Sequence, residues 1–563
     1  MISTLVQLFW LLPLLAGQPV DPAHARAEEI LRGMSLEQKV GQLMMVGFGG
    51  RSMGPEISHL LLDHHIGSVA LYSRNISNTE QLAKLVRSVR ETMRDEVQPF
   101  VAIDQEGGNV VRVRTDVTVL PGAMALGATR DPVLAYLAGQ ANAVDLGLLG
   151  IDMNLAPVLD VNRNPANPVI NIRAFGDHPK LVAKIGVWFV LGQQQAGMAT
   201  VAKHFPGHGN TAHDSHFSLP VTNESLDRLR GIALLPFREA IDAGLDAIMT
   251  AHVRVPAVDD SQTPASLSKK VITDLLRGEM AYDGLVITDD LEMRAIAERM
   301  TVGQAAVQAI LAGADIIMVI WTPRKKHQVF EALLAAAKDG RISRSRIDDS
   351  VRRILRLKAK RGTLDALSVK VPSLADSFPN PYHSRLVRTI AHRGITLVRN
   401  QQSILPLCQG RGVLVAGPQK VFLGEMKKLL PDAKTVQLSR VPSRKRRKED
   451  LERLTKLAGQ HRVVVVAVVN AYQAWLVQRL SHNIKVPLVA VSFGSPYYLR
   501  NFPRVTVYLC AYSYLASAQK AAARALCSRI SITGRLPVTI TKQYPRGHGL
   551  TLPRGACTTA ALR

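Results

Sequence analysis

The sequence predicts an α/β protein in which a (β/α)8 TIM-type barrel precedes a smaller α/β sandwich domain. At 563 residues the chain is longer than one ordinary domain. Short apolar runs alternate with amphipathic helical stretches through its first 320 residues, and a second series of such runs follows further on. The 47% hydrophobic and 20% charged residues are typical of a globular protein with a substantial core, which excludes disorder as the dominant state.

The barrel is predicted from eight runs that have the pattern of strands buried on both faces. Strands covered by crossover helices are continuously apolar, without strict alternation. Eight such units in about 300 residues favour a closed barrel. A doubly wound open sheet is the competing topology, but no Gly-rich phosphate loop follows the first run. The predicted strands are Val40–Phe48, Ile66–Tyr72, Phe100–Asp104, Met153–Leu159, Ala199–His204, Ala247–Ala251, Leu285–Thr288 and Ile316–Ile320.

The second domain is predicted to begin after a linker. The Arg-rich helical stretch 344–361 ends at Gly362, and the following residues include Pro372, Pro379 and Pro381, which is typical of irregular chain. Apolar runs resume near residue 412 and continue to residue 509. We therefore assign 26–362 to the barrel, 363–394 to the linker and 395–563 to the α/β sandwich.

The N-terminal residues resemble an export signal. The apolar run Leu5–Ala16 is too short to span a membrane, and Ala23-His24-Ala25 is a candidate cleavage site. No Lys or Arg precedes the run, which departs from the usual signal. We expect residues 1–25 to be a signal peptide and the protein to be exported, periplasmic or secreted, with a cytoplasmic location as the alternative. No transmembrane span is expected.

The chain is strongly basic, with a formal net charge of +25 and a pI near 10.1. Such a field attracts polyanions, so an anionic cell-wall or envelope surface is a candidate partner. The alternative is that basic runs such as Arg444–Lys448 are solvated faces. No recognition helix, zinc finger or RNA-binding aromatic pattern is present, and we expect no nucleic-acid partner. The four cysteines have no metal-binding spacing and leave disulfides and thiols equally open.

Titratable residues recur where the predicted strands end. Active sites of (β/α)8 barrels lie at the carboxyl ends of the strands. A set of polar side chains at these positions therefore predicts one shared site at that rim. The residues are Asp104, Asp160, Lys203, His204, His252, Asp289 and Asp290.

The segment 203–216, KHFPGHGNTAHDSH, concentrates four histidines and an aspartate after the fifth strand. From the residues alone three interpretations stay open. The histidines and carboxylate suit zinc. Asp214 and His216 suit an acid/base dyad, because imidazole exchanges a proton near neutrality. Otherwise the imidazoles only bond the loop backbone.

Two further groups of residues have the chemistry of a sugar site. Asp289 and Asp290 end a buried strand, where a carboxylate can attack an anomeric carbon, bind a cation or cap the next helix. We interpret Asp289 as facing the pocket and Asp290 as the helix cap. Asp104, with Arg112 downstream, can accept sugar hydroxyls, and the loop 154–176 is rich in amides and arginines that suit a hydroxylated ligand or an ordinary polar loop.

The chain resembles the family 3 glycoside hydrolases, specifically their bacterial β-N-acetylglucosaminidase (β-N-acetylhexosaminidase) branch. The motifs AIDQEGG, NLAPVLDVNRNP, INIRAFGDHP, AKHFPGHGNTAHDSH, IMTAHV and GLVITDDLEM occur in family order over most of the predicted barrel. The later segments GITLVRN, VSFGSPY and GRLPVTI resemble the second domain of two-domain members. The departures are Asn109, where this branch often has Arg, and the unusual start AHRGITLV of the second domain.

The resemblance implies the roles of individual residues. Asp289 is the expected nucleophile, and His216 paired with Asp214 is the expected acid/base dyad, which makes a metal in this loop improbable. The residues expected to bind the sugar are Asp104, Arg112, Arg173, Lys203 and His204. No metal and no cofactor is expected.

The activity that the resemblance implies is retaining exo-hydrolysis of terminal β-linked N-acetylglucosamine, with peptidoglycan fragments as the expected source and a covalent glycosyl-Asp289 intermediate. The carbohydrate is thus the expected partner. The alternatives are an N-acetylglucosaminide phosphorylase that uses the same site, and a catalytically weak cell-wall-binding protein.

Overall fold

The computed structural model describes residues 22–215, 217–367 and 374–557. Two sequence predictions fall outside these ranges: most of the expected signal peptide, and His216 itself. The expected cleavage site Ala23–Ala25 is described, and lies in the first turn of a helix, Pro22–Gly33. Within the described ranges, no helix combines the length and the apolar character that a bilayer crossing requires.

The first part of the chain is a closed parallel barrel, as predicted. Each strand pairs with the next, and β1 also pairs with β8, with Met45 opposite Met318. Nearly every strand residue is buried, which explains the continuous apolar runs. The strands are β1 (Met44–Val46), β2 (Ser68–Leu71), β3 (Phe100–Ile103), β4 (Met153–Asn154), β5 (Ala199–Phe205), β6 (Ala247–Thr250), β7 (Leu285–Asp290) and β8 (Ile316–Val319).

The first and fourth predicted strands extend well beyond the observed ones. Val40 belongs to the helix Leu36–Gln42, which begins at a capping box formed by Ser35 and Gln38. The fourth strand ends at Asn154, and Pro157 further along has no backbone N–H to donate to a neighbouring strand. Past that point the chain still accepts a hydrogen bond, from Lys203 N to Pro157 O across 3.0 Å.

Helices surround the barrel and begin at the caps that the sequence provides. Asn78 accepts from Gln81 N at the start of helix Thr79–Thr92, and Ser343 accepts from Arg346 N at the start of helix Arg344–Lys360. Between α8 and α9 and again at Lys270–Glu279 the helical winding widens to the π type. The helices of this part are α1 (Pro22–Gly33), α2 (Leu36–Gln42), α3 (Pro55–Leu62), α4 (Thr79–Thr92), α5 (Ala123–Thr129), α6 (Pro132–Leu148), α7 (Pro179–Gln195), α8 (Leu226–Arg228), α9 (Leu235–Asp242), α10 (Arg294–Ala297), α11 (Val302–Ala312), α12 (Pro323–Lys338) and α13 (Arg344–Lys360).

The Arg-rich helix α13 is a structural element of the barrel. Arg361, just past its end, pairs with the buried carboxylate of Asp246 at 2.6 Å, and Arg353 and Arg356 both reach Asp283 at 3.0 Å. These pairs hold α13 against the barrel bottom, so this basic run is largely neutralised by the protein itself.

Residues 381–394, expected to be irregular, form helix α15 (Pro381–Gly394) after a short helix α14 (Leu374–Ser377). Asn380 caps α15 and Pro381 occupies its first turn, where a proline favours a helix start. Arg393 pairs with Asp131 of the barrel at 2.8 Å. The domain boundaries themselves stay predictions.

The second domain has a six-stranded sheet in the order β11-β10-β12-β13-β14-β9, parallel except for β9. Apolar clusters cover both faces, as an α/β sandwich requires. Its strands are β9 (Thr396–Asn400), β10 (Val413–Gly417), β11 (Lys434–Gln437), β12 (Val463–Val468), β13 (Leu488–Ser492) and β14 (Val507–Cys510), and its helices are α16 (Lys420–Leu429), α17 (Arg444–Ala458), α18 (Ala471–Asn483) and α19 (Ala516–Leu526). The predicted two-domain α/β fold is thereby confirmed.

The four cysteines form one disulfide and leave two buried thiols. Cys408 and Cys557 form a disulfide across 149 residues. Cys510 and Cys527 are buried thiols. Burial raises the pKa of the Cys527 thiol to about 12, so this sulfur stays protonated and inert.

Candidate active site

A cavity of about 310 Å³ opens at the carboxyl ends of the barrel strands. This volume is at the lower end of the range for small-molecule sites, roughly 300–1,000 Å³. Its lining includes all five residues predicted to bind a sugar, together with Asp289. The polar and aromatic lining residues are Tyr72, Asp104, Glu106, Arg112, Arg173, Lys203, His204, His208, Ser215, Asp289, Asp290 and Trp321.

Asp104, at the end of β3, is held between two cations. Lys203 Nζ donates to its Oδ1 across 2.7 Å, and Arg112 Nη2 donates to its Oδ2 across 3.0 Å. Burial alone would raise the pKa of the Asp104 carboxyl, but Lys203 and Arg112 outweigh burial and lower it. The carboxylate is therefore ionised and can accept hydrogen bonds from hydroxyl groups.

Glu106 is a central residue of the site that the sequence reasoning did not select. Arg173 donates two hydrogen bonds to it, from Nε to Oε2 at 2.9 Å and from Nη2 to Oε1 at 2.8 Å. Lys203 Nζ lies 2.7 Å from the same Oε1. Although burial opposes ionisation, the two cations lower the pKa of Glu106 strongly. The available signal was its position, two residues after the strand-end Asp104.

His204 and His208 are oriented by a carboxylate behind the cavity. Asp160 accepts from His204 Nδ1 at 2.7 Å and from the backbone N–H of His208 at 2.5 Å. The other ring nitrogen of His204, Nε2, lies 3.5 Å from Arg173 Nη2. His208 bonds Thr211 and Ser215 through its two ring nitrogens. The described contacts therefore hold both rings against neighbouring protein groups.

Asp289 and Asp290 both line the cavity, which corrects one interpretation. Asp290 was expected to cap the following helix, but α10 starts four residues later and its N-cap is Met293. Strand β7 extends through Asp290. The Asp290 side chain accepts a hydrogen bond from Glu292 N at 3.2 Å, just past the end of the strand. The backbone N–H of Asp290 donates to Asp289 Oδ1 across 2.8 Å.

The two neighbouring carboxyls differ in surroundings. Burial, and then the charges of Glu292 and Asp289, raises the pKa of Asp290 to about 7. Such a value makes Asp290 a partly protonated group at neutral pH. Asp289 accepts a hydrogen bond from the backbone N–H of Asp290.

The predicted dyad is described only in part. Asp214 is half-buried in the loop after β5, and its carbonyl accepts from the N–H groups of Phe217 and Ser218. Ser215 lines the cavity, so the loop reaches the site one residue before His216. Asp214 is absent from the cavity lining, and His216 lies outside the described residues.

Residues 35–357, which contain this whole site, match the glycosyl hydrolase family 3 N terminal domain. The chain belongs to glycosyl hydrolase family 3. The chain is similar to beta-hexosaminidase A of Pseudoalteromonas piscicida, with 34% identity over 69% of this chain and 71% of the relative. It is also similar to a beta-hexosaminidase of Alkalilimnicola ehrlichii, with 40% identity over 52% of this chain and 84% of the relative.

A solved structure extends the similarity to the second domain. The family 3 beta-N-acetylglucosaminidase of Paenibacillus sp. str. FPU-7 superposes with a TM-score of 0.86 at 40% identity, covering 90% of this chain and 99% of the other. The predicted family resemblance is confirmed, and the protein is a glycoside hydrolase.

Two aromatic residues at the mouth of this family 3 site were also missed. Tyr72 follows β2 and Trp321 follows β8, with ring centroids 5.1 Å apart. The Arg74 guanidinium lies 4.4 Å above the Trp321 ring and donates to Ile320 O at 2.9 Å. Trp321 nevertheless remains 53% exposed. The signal was again a residue directly after a barrel strand, but an aromatic there carries no titratable group and was passed over.

The sandwich domain supports the glycosidase site without lining it. All cavity residues among the described part of the chain fall between 72 and 321. Tyr497 of the second domain hydrogen-bonds Asn162, and Asn162 in turn accepts from Asn171 N at 3.0 Å. Arg546 pairs with Asp177 at 2.9 Å. These contacts brace the 160–177 loop that carries Arg173.

His252 likewise acts behind the cavity. It is fully buried and bonds Ser266 Oγ at 2.7 Å and the carbonyl of Asp290 at 3.0 Å. His252 thus lies next to the site, as its position after a predicted strand indicates. Its contact with the Asp290 carbonyl supports the end of β7.

Proposed function

We propose that this family 3 enzyme is a β-N-acetylhexosaminidase that removes terminal β-linked N-acetylglucosamine with retention of configuration. The observation that carries the proposal is that Asp289 and five polar side chains expected to bind a sugar line one cavity at the carboxyl ends of the strands. The names of the similar proteins support the choice of an N-acetylhexosamine. The small volume supports an exo-acting site that holds one terminal sugar ring.

The proposed reaction has two displacement steps. The Asp289 carboxylate attacks the anomeric carbon and forms a glycosyl ester, while the glycosidic oxygen leaves with a proton from His216. His216, oriented by Asp214, then removes a proton from water, and the resulting oxygen attacks the same carbon and releases Asp289. Two inversions give the β-anomer as the first product.

The remaining polar residues are proposed to hold the sugar. The ionised Asp104 accepts hydroxyl hydrogen bonds, and Lys203, Arg112 and Arg173 keep it and Glu106 ionised while offering further N–H donors. His204, which Asp160 holds through Nδ1, lines the cavity and is proposed to contact the sugar as well. Because each cavity carboxylate of this group already pairs with a cation, a neutral sugar enters without leaving a buried charge unpaired.

The proposed natural source is peptidoglycan fragments, and the proposed location is outside the cytoplasm. The Cys408–Cys557 disulfide supports export, since disulfides persist in oxidising compartments. N-terminal sequencing of the native protein tests the predicted cleavage after residue 25.

The activity test uses p-nitrophenyl β-N-acetylglucosaminide with the purified full chain. We expect nitrophenol release by the wild type, loss of at least a thousandfold in kcat for Asp289→Asn, and the β-anomer as first product by proton NMR. Folded wild-type protein without turnover, or an α-anomer as first product, contradicts the proposal.

Two further measurements distinguish hydrolysis from phosphorolysis and from wall binding without catalysis. Rates with and without phosphate distinguish hydrolysis from phosphorolysis, because only a phosphorylase yields the sugar 1-phosphate. His216→Ala should slow substrates with poor leaving groups more than the nitrophenyl substrate, which needs little protonation. Retention on peptidoglycan without any turnover would instead favour the wall-binding alternative.

A further inference from the structure

Three histidines converge on the outer surface of the barrel, away from the catalytic cavity. His59 lies on α3, His64 follows that helix, and His327 lies on α12. One ring nitrogen from each falls within 4.8 Å of the other two. None of the three lines the catalytic cavity.

The closest approach is between His64 and His327. His64 Nε2 lies 2.9 Å from His327 Nδ1. Two imidazole nitrogens that ligate one tetrahedral zinc ion at about 2.0–2.1 Å are about 3.4 Å apart. A displacement of about half an ångström would therefore turn this contact into a shared pair of ligands.

His64 is a rigid anchor for such a pair. The residue is 5% exposed, and its ring stacks on Phe330 of α12 with a centroid distance of 4.2 Å and an interplanar angle of 3°. Since Phe330 and His327 lie on the same helix, the stacking that fixes His64 also fixes its direction toward His327.

His59 supplies the third position and its own orienting group. Its Nδ1 lies 2.5 Å from Asp63 Oδ2, which leaves the Nε2 lone pair available. Metal-binding histidines commonly donate the other ring nitrogen to a carboxylate in this way. The His59 side chain is 55% exposed, so it is able to rotate toward the other two rings.

We propose that His59, His64 and His327 bind one zinc-like divalent ion, with water in the fourth position. Three imidazoles favour Zn²⁺, Ni²⁺ or Cu²⁺ over the oxygen-preferring Mg²⁺ and Ca²⁺. His59 and His327 are exposed, which leaves an open path from solvent.

The ion would join the two ends of the barrel sequence. Helix α3 follows β1 and helix α12 follows β8, and these two strands pair to close the barrel. An ion bound only by the folded protein stabilises it in proportion to its binding free energy. The bound ion would therefore stabilise the region where the first and last barrel strands pair. It would take no part in the sugar chemistry.

The test titrates chelator-treated full chain with Zn²⁺ by calorimetry, and with Co²⁺ by visible absorption. We expect one ion per chain, the intense bands of tetrahedral Co²⁺, and a melting temperature that rises by a few degrees at saturating zinc. His327→Ala and His59→Ala, both at exposed positions, should each weaken binding at least tenfold, and His64→Ala should abolish it.

The matched control is His482→Ala, an exposed histidine of α18, which should bind zinc as the wild type does. Glycosidase activity should be the same in wild type and His327→Ala. Absence of stoichiometric binding, or binding that survives both His327→Ala and His59→Ala unchanged, overturns the proposal.

Discussion

The guanidinium of Arg173 holds both carboxylate oxygens of Glu106, at 2.8 and 2.9 Å, inside the catalytic cavity. Both side chains are largely buried. A buried bidentate pair fixes geometry well, but removal of one partner leaves the other charge uncompensated. The pair therefore links the stability of the barrel to the shape of the sugar site.

Glu106→Gln should destabilise the protein by about 3 kcal/mol, because Arg173 and Lys203 lose a shared anion. Activity should fall as well, since Arg173 and Lys203 are no longer held in place. Urea unfolding and kcat/KM measure the two effects. Glu279→Gln is the control, because it breaks the exposed pair with Arg230, which solvent screens, and should cost much less stability than Glu106→Gln. Equal costs for both variants would contradict the role of Glu106.

Asp290→Asn should change how stability depends on pH. The folded state raises the pKa of Asp290 from 3.8 to about 7, so it binds this proton more tightly than the unfolded chain. The stability that this proton contributes is present below about pH 4 and is lost as pH rises through 7. Relative to the wild type, Asp290→Asn should therefore gain stability between pH 4 and 7.

Denaturant unfolding at several pH values measures this difference. Asp260→Asn is the control, because Lys270 lowers the pKa of this exposed carboxyl and it is already ionised above pH 5. Its stability curve should stay parallel to the wild type between pH 5 and 8. A parallel curve for Asp290→Asn as well would show that Asp290 ionises freely.

Trp321→Ala should weaken binding of a second sugar ring. The exposed indole, backed by Arg74, presents an apolar face at the cavity mouth where the leaving part of a disaccharide would lie. KM for chitobiose should rise about tenfold, equivalent to about 1.4 kcal/mol, with a smaller change for the nitrophenyl monosaccharide. Trp188→Ala, which removes a partly exposed indole from α7, should leave both values unchanged. Equal effects on both substrates would exclude a role for Trp321 in binding the second ring.

Tyr497→Phe tests whether the sandwich domain positions the Arg173 loop. The Tyr497 hydroxyl contacts both the side chain and the carbonyl of Asn162, at 3.3 and 3.4 Å. Loss of these bonds should lower kcat/KM several-fold while the melting temperature changes little, since one hydrogen bond contributes about 1 kcal/mol. Tyr498→Phe removes the neighbouring hydroxyl as a control. An unchanged kcat/KM for Tyr497→Phe would show that the loop holds its shape unaided.

The sequence by itself determined the barrel, the second α/β domain and the rim where polar residues meet. Continuous apolar runs are the pattern of strands buried on both faces, and residues such as Asp104, Lys203 and Asp289 lie at or next to the carboxyl ends of those runs.

Only the tertiary structure decided which of those residues touch. The pairing of Glu106 with Arg173, 67 positions apart, and the bracing of Asn162 by Tyr497, 335 positions apart, depend on how distant segments pack. The same holds for Asp290, which lines the cavity at the end of a strand that runs two residues further than predicted. Such contacts arise from burial and geometry in three dimensions, for which a linear pattern holds no signal.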